Sequence, residues 1–271
     1  MTPGHLTPRE RALLAARWLV DVAPPRVGLA LVDALEGRRG ETEIAFLPAL
    51  VRRGEMAVDA GANRGVYARR LARLCPRVLA CEPQPALARR LARSVPRNVV
   101  VLPVALSDTP GETTLRIPVL ASTAVHTRGT LGDGGSENLE VTALRLRLDD
   151  LALESVGFAK IDVEGHELPL LAGAVQTLRR CRPRLLVECD VTMGAHPADV
   201  AERLQPLSYE GWFCFGGDLL PVTDFDATTH QHEPKAIAGP RPASLVTNFM
   251  FLPGDEATEV LEAIRLLQPR R

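Results

Sequence analysis

From residue 56 onward, short apolar runs alternate with amphipathic stretches. Short apolar runs are typical of strands buried in a parallel sheet, and apolar positions three or four apart are typical of helices that cover such a sheet. This order predicts an α/β fold in which helices flank a largely parallel sheet. The predicted core strands are 56–59, 78–81, 99–103, 158–163 and 184–189, and the predicted helices between them are 66–74, 85–94 and 168–180.

The pattern changes between residues 111 and 147. Residues 113–117 and 139–147 alternate as extended segments around a glycine-rich loop at 132–136. Alternation of this kind is typical of strands with one face exposed. We therefore predict an antiparallel β insertion over 111–147.

Both ends of the chain carry further elements. Residues 1–53 are predicted to form an N-terminal helical arm, and residues 54–271 the main domain. A polar, proline-bearing stretch at 223–243 is interpreted as a lid or substrate loop, because long loops without regular structure are usually functional or disordered. The remaining predicted helices are 7–22, 41–52 and 256–267, and the remaining strands are 212–215, 219–222 and 248–252.

Composition narrows the classes of function. The 271 residues carry a formal net charge of -1, so charge gives no reason to expect a nucleic-acid partner. No apolar run approaches the roughly 18 residues of a membrane-spanning helix and no signal-peptide layout is present, so we expect a cytoplasmic protein. The five cysteines form no CxxC pair, which argues against a disulfide framework or a zinc knuckle. A homo-oligomer is compatible with these features, and we predict no metal site.

The segment 57–67 has the pattern of a ligand-binding turn. A strand that ends in Asp59 passes through Gly61 and Gly65 into a helix. Such a turn presents backbone N–H groups and a helix N-terminus at the edge of the sheet where open α/β folds bind ligands. The two glycines are expected to let the backbone approach a ligand, and Asp59 to compensate a cationic group.

Glu82, followed by Pro83, ends the second predicted strand, 23 residues after Asp59. A carboxylate at this place accepts hydrogen bonds from two ribose hydroxyls. A dinucleotide is disfavoured because Asn63 and Val66 stand where that fingerprint needs glycine, and because Asp59 would repel a pyrophosphate. The residues therefore predict an adenosine-containing ligand without specifying which one.

Six motifs occur in the order and spacing of FkbM-type methyltransferases, and this part of the chain resembles that family over residues 41–190. The motifs are 58–65 (VDAGANRG), 82–85 (EPQP), 105–108 (ALSD), 148–151 (LDDL), 160–167 (KIDVEGHE) and 186–188 (LVE).

The resemblance implies a Rossmann-like class I methyltransferase fold with a mixed seven-stranded sheet. It also implies transfer of a methyl group from S-adenosyl-L-methionine, usually to a hydroxyl. Ser107 and Asp108 would then lie near the adenine, and Asp162 beside the sulfonium. The cofactor-binding residues that it implies are Asp59, Gly61, Ala62, Asn63, Gly65, Glu82, Pro83, Ser107, Asp108 and Asp162.

Methyl transfer to an alcohol needs collinear positioning and benefits from a base near the acceptor. The candidates for the base are Asp162, His166 and Glu188. Asp162 could instead serve the cofactor's ammonium, His166 could cap a helix, and Glu188 could pair with an arginine. Asp162 and Glu188 could also hold a divalent ion, as in some enzymes of this fold.

Two other features are given structural interpretations. His230 and His232 have ligand-like spacing, but we expect them in a solvated loop. The arginines expected on solvated helix faces are Arg69, Arg70, Arg73, Arg89, Arg90 and Arg93.

The acceptor is predicted to be a small molecule, a glycan or a natural product. The alternatives to a methyltransferase are a non-catalytic adenosine-binding or assembly protein on the same fold, and an NAD-dependent oxidoreductase.

Overall fold

The computed structural model describes residues 42–120, 123–124, 138–231 and 245–268. Eight strands of this part of the chain form one mixed sheet. The strands are β1 (Met56–Ala60), β2 (Val78–Cys81), β3 (Val99–Leu102), β8 (Val156–Ile161), β9 (Arg184–Glu188), β10 (Tyr209–Phe215), β11 (Asp218–Pro221) and β12 (Asn248–Pro253). Their spatial order is β11-β10-β12-β9-β8-β1-β2-β3. The five strands from β9 to β3 are parallel, whereas β12 and β10 are antiparallel to their neighbours.

The prediction of an α/β fold with a mixed sheet flanked by helices is confirmed, and one detail differs. The sheet has eight strands rather than seven, because β11 pairs with β10 through a hairpin at Gly216–Gly217, where both glycines have positive φ. The described helices are α1 (Leu47–Leu50), α2 (Val66–Leu74), α3 (Pro85–Ala92), α4 (Glu167–Ala172), α5 (Val175–Cys181), α6 (Pro197–Leu204), α7 (Ala227–His230) and α8 (Gly254–Leu267).

Apolar side chains alternate between the two faces of the sheet. Val58 and Val187 belong to the core that packs against α4, α5 and α6. Ala57, Phe158 and Leu186 belong to the core on the other face, under α1, α2 and α8. Because both faces are covered, the central strands are mostly apolar, which explains the short apolar runs of the sequence.

The predicted insertion contributes an antiparallel pair to a second sheet. The strands of this sheet are β4 (Val104–Leu106), β5 (Gly111–Leu120), β6 (Thr123–Ala124) and β7 (Asn138–Leu146). Their spatial order is β4-β7-β5-β6, and β5 and β7 are the antiparallel pair. β4 follows β3 after Pro103 and pairs in parallel with β7. The insertion therefore begins directly after the third core strand, at the edge of the sheet where a ligand is expected.

Three predicted helical or loop segments differ in the structure. The predicted helix 168–180 is two helices, and the first ends with Gly173 as its C-cap, where a Cβ would lie 1.9 Å from the backbone oxygen of Ser107. The predicted helix 41–52 is a 3₁₀ turn over Thr42–Phe46 followed by the short α1, with Pro48 in its first turn. The predicted loop 223–243 begins with ordered turns, Val222–Asp224 and α7.

Two predicted segments cannot be compared with the structure. The predicted helix 7–22 and the rest of that loop lie outside the described residues. In the part of the chain that the structure describes, no helix is both long enough and apolar enough to cross a membrane.

Candidate functional site

A cavity opens at the carboxyl edge of the main sheet. It encloses about 600 Å³, including the space at its mouth. Its walls come from the turns after β1, β2 and β8, from β4, and from one side chain of the insertion. The lining residues are Gly61, Asn63, Glu82, Pro83, Gln84, Val104, Ala105, Leu106, Leu115, Asp162, Val163, Glu164 and His166.

Only half of the residues predicted from sequence line this cavity. The turn after β1, the end of β2 and the turn after β8 meet there, as predicted from parallel strands that end at one edge. The predicted residues among the lining are Gly61, Asn63, Glu82, Pro83, Asp162 and His166. Those not among the lining residues are Asp59, Ala62, Gly65, Ser107, Asp108 and Glu188.

The glycines of the turn after β1 are required by contacts of the protein with itself. Gly61 has a φ of 79°, and a Cβ there would lie 1.8 Å from the backbone oxygen of Asp162. Gly65 has a φ of 77°, and its Cβ would meet Leu91 Cδ1 at 2.3 Å. These contacts give a packing reason for both glycines, because the turn lies against the end of β8 and against α3. The expectation that the backbone also approaches a ligand at these glycines stays a prediction.

Glu82 joins the loops on either side of the cavity. Its Oε2 accepts a hydrogen bond of 2.8 Å from the backbone N–H of Asn63, and its Oε1 accepts one of 2.9 Å from that of Gln84. Burial raises the pKa of Glu82 to about 7, aided by nearby Asp59, although the two backbone N–H donors act in the opposite direction. Each carboxylate oxygen can accept a second hydrogen bond, so Glu82 can still receive a ligand's hydroxyl groups.

Ser107 and Asp108 contact His166. The hydroxyl of Ser107 donates to Asp108 Oδ1 at 3.0 Å, and the same oxygen lies 2.9 Å from His166 Nε2. With the Ser107 hydroxyl donating to Asp108, the tautomer that satisfies both contacts has Nε2–H donating to Ser107 and the lone pair on Nδ1. Burial lowers the pKa of His166 and Arg145 lowers it further, although Asp108 raises it. A histidine that is neutral at pH 7 therefore lines the cavity.

Lys160, whose role the sequence analysis missed, lies next to two of the candidate bases. Its side chain is fully buried, and Nζ is 3.7 Å from Asp162 Oδ2 and 4.0 Å from Glu188 Oε2. Glu188 thus lies in an ion pair with a lysine. Because the buried Lys160 ammonium is within 4.0 Å of both carboxylates and would repel a divalent cation between them, this geometry does not favour the alternative in which they hold a divalent ion.

Two interpretations from the sequence are wrong. His230 is not solvated: it is 7% exposed, it packs against Phe213, Phe215 and Phe225, and its Nδ1 lies 3.0 Å from the backbone N of Asp226. His232 lies outside the described residues. Arg69 is buried rather than part of a solvated helix face, because its Nη1 donates to the backbone oxygen of Arg64 at 2.8 Å.

The stability of the ligand-free protein is expected to fall between pH 5.5 and pH 8. Burial raises the pKa of Glu82 to about 7 and that of Glu167 to about 7, both from the ordinary value of 4.5. A raised pKa favours folding while the group is protonated, and this contribution is lost as the pH rises through about 7. Each carboxyl should lower the free energy of unfolding by about 2 kcal/mol over this range.

Urea denaturation at several pH values measures this change. His166, whose pKa is lowered, acts in the opposite direction, so wild type is compared with Glu82→Gln and Glu167→Gln. Each variant should show a flatter pH dependence. Curves parallel to that of wild type would contradict the assigned protonation states.

A family model described as "Methyltransferase FkbM domain" matches residues 59–211. No curated protein matches the chain in sequence. The FkbM methyltransferase structure from Methylobacillus flagellatus KT is 16% identical and covers 89% of this chain, with a TM-score of 0.47. This chain spans 59% of the length of that protein.

Two further solved structures are similar at lower scores. Precorrin 8w decarboxylase of Methanobacterium thermoautotrophicum is 12% identical, with 79% of this chain and 90% of that chain covered and a TM-score of 0.43. SMU.1697c of Streptococcus mutans, solved in complex with SAH, is 13% identical, with 78% and 94% covered and a TM-score of 0.40. These likenesses are too weak to assign a function, but the family model covers more than half of the chain. The chain belongs to the FkbM methyltransferase domain family.

Proposed function

We propose that this methyltransferase uses S-adenosyl-L-methionine and methylates a hydroxyl of a small molecule, a sugar or a natural product. The observation that carries the proposal is the place of Glu82, a buried carboxylate in the cavity wall between the turns after β1 and β2. A carboxylate in this position accepts hydrogen bonds from the ribose hydroxyls of a nucleotide cofactor.

The rest of the cavity fits the other parts of this cofactor. Val104, Leu106 and Leu115 form an apolar wall that suits an adenine ring. Asn63 Oδ1 is buried and has no hydrogen-bond partner among the described residues, so it can accept from an amino group. Asp162, in the turn after β8, supplies negative charge for a cationic group.

The cofactor supplies an electrophilic methyl group on a sulfonium. The chain's contribution is mainly positional, because an in-line displacement requires the acceptor oxygen to be held at near-attack distance. His166 lines the cavity as a neutral imidazole and is a candidate to take the acceptor's proton at Nδ1, a contribution of about 10² to 10⁴ in rate. Asp162, which also lines the cavity, remains a candidate for the same role, whereas Glu188 is not among the lining residues.

The two alternatives make different demands on this cavity. An NAD-dependent oxidoreductase would place a pyrophosphate against the turn after β1, where Asp59 is buried nearby and Asn63 replaces a glycine. A non-catalytic adenosine-binding or assembly protein would need Glu82 but not the acidic and imidazole groups of the turn after β8. The acceptor, the absence of a nucleic-acid partner and the oligomeric state stay predictions.

Ligand-dependent melting tests this proposal. SAH should raise the melting temperature, because a ligand that binds only the folded state adds about 2.7 kcal/mol at 100 times its Kd. For a chain of this size that corresponds to a shift of roughly 5 to 10 °C. NAD at the same concentration should give no shift. Equal shifts, or none with SAH, would remove the proposal.

A further inference from the structure

A row of polar side chains crosses the main sheet at its carboxyl edge, within an otherwise apolar face. Asp59 on β1 is in register with Lys160 on β8. Lys160 is in register with Leu186 on β9, so Glu188 lies one step further toward the carboxyl edge, in register with Asn248 on β12. Side chains two residues apart on a strand point to the same face, so Asp162 also lies one step beyond Lys160, level with Glu188.

Lys160 is the cation at the centre of this row. Its side chain has no solvent exposure, its Nζ lies 3.7 Å from Asp162 and 4.0 Å from Glu188, and it stands 5.2 Å from the centroid of the Tyr67 ring. Nζ also donates to the backbone oxygen of Ile161 at 3.4 Å. Contacts therefore tie the ammonium to β8, to β9 and to α2.

Lys160 supplies the positive charge between two carboxylates. A buried charge is tolerated only when it is paired, and Glu188, whose side chain is 5% exposed, has the Lys160 ammonium at 4.0 Å. The same ammonium lies 3.7 Å from Asp162, whose side chain is 29% exposed, and two carboxylates that share a site oppose each other's ionisation unless a cation is present. Asp162 lines the cavity, whereas Lys160 and Glu188 lie behind its wall. The lysine can therefore set the charge and the orientation of Asp162 without itself contacting a ligand.

We infer that Lys160 is a positioning residue: it keeps Asp162 and Glu188 ionised together and holds the Asp162 carboxylate at the cavity, ready for the cationic end of the cofactor. This inference rests on the proposed function. The titratable groups that face or adjoin the ammonium are Asp59 on β1, Asp162, Glu188 on β9 and Tyr67 on α2, with Glu167 and Cys189 beyond Glu188.

The test counts protons released when a ligand binds. Isothermal titration calorimetry at pH 8 in phosphate and in Tris gives this number for sinefungin, which carries an amine in place of the sulfonium, and for SAH, whose sulfur is neutral. In Lys160→Met one of the carboxylates should take up a proton before binding and lose it when the cationic ligand arrives. With sinefungin, we expect this variant to release about 0.3 to 1 proton more than wild type, because one titrating carboxylate can release at most one proton. With SAH, the difference in proton release between the variant and wild type should be smaller.

Two controls separate positioning from packing. Phe158→Leu alters a fully buried side chain two residues earlier on the same face, and it should leave the proton count at the wild-type value. Lys160→Met/Glu188→Gln removes one carboxylate together with the ammonium, and it should restore both the wild-type proton count and most of the stability lost in Lys160→Met.

If wild type binds neither ligand, the proposed function fails. If wild type binds and Lys160→Met releases as many protons as wild type, the inference alone is overturned. If Lys160→Met does not fold and the double variant is no more stable, the ammonium does not serve the two carboxylates, and the inference is again overturned.

Discussion

Gly61→Ala is expected to destabilise the protein by about 3 to 5 kcal/mol, or to prevent folding altogether. A Cβ at this position would lie 1.8 Å from the backbone oxygen and 2.8 Å from the carbonyl carbon of Asp162. Neither atom can move away easily, because the backbone N–H of Asp162 donates to Ala60 at 2.9 Å and joins the two strand ends. The measurement is the free energy of unfolding from urea denaturation.

Gly194→Ala is the matched control for this substitution. Gly194 has a φ of 83°, almost the same as the 79° of Gly61, but no atom lies within 4 Å of a Cβ built there. It should therefore lose only about 1 to 2 kcal/mol, the cost of a left-handed conformation for alanine. Equal losses in the two variants would mean that backbone conformation, rather than the contact with β8, demands glycine at 61.

Glu82→Ala should weaken SAH binding by about 1 to 3 kcal/mol, which is roughly 5- to 150-fold in Kd. The substitution removes the acceptor proposed for the ribose hydroxyls. It also leaves the backbone N–H groups of Asn63 and Gln84 without their present acceptor, which loosens two walls of the cavity. Calorimetric titration with SAH measures the change in affinity.

Glu167→Ala serves as its control, because it too removes a buried carboxyl whose pKa is about 7. Glu167 is 2% exposed and accepts from the backbone N–H of Gly165, but it is not among the residues that line the cavity. Its loss should change the Kd for SAH by less than about twofold, a few tenths of a kcal/mol. An equal weakening in both variants would show that the effect of Glu82→Ala is a general loss of packing.

The elements that local pattern governs could be predicted from sequence. The helix over Val66–Leu74 and the strand over Val78–Cys81 have the predicted bounds, because each is a complete amphipathic or apolar segment between clear end signals. The helix predicted over 168–180 ends at Gly173 and a second helix follows. Gly173 is a local signal of a helix end, but its close contact with the backbone of Ser107 cannot be read from the sequence.

The candidate site also contains some residues that local sequence predicts and others that only the folded chain brings together. Glu82 was found because its spacing from Asp59 reflects the length of one helix and one strand. Leu115 could not be found, since only the register between β5 and β7 brings it to the cavity. Lys160 could have been identified from sequence, because it is the single lysine in the otherwise apolar strand Val156–Ile161. The partnership of Ser107 with His166 depends on two loops that meet only in the folded sheet.

A crystal structure with bound SAH tests the central claim most directly, namely that this cavity holds an adenosine between the turn after β1 and the carboxylate that ends β2. We expect SAH in the cavity with both ribose hydroxyls within hydrogen-bonding distance of Glu82, and with its sulfur on the side of Asp162. SAH bound elsewhere, or a ribose without contact to Glu82, would contradict the account.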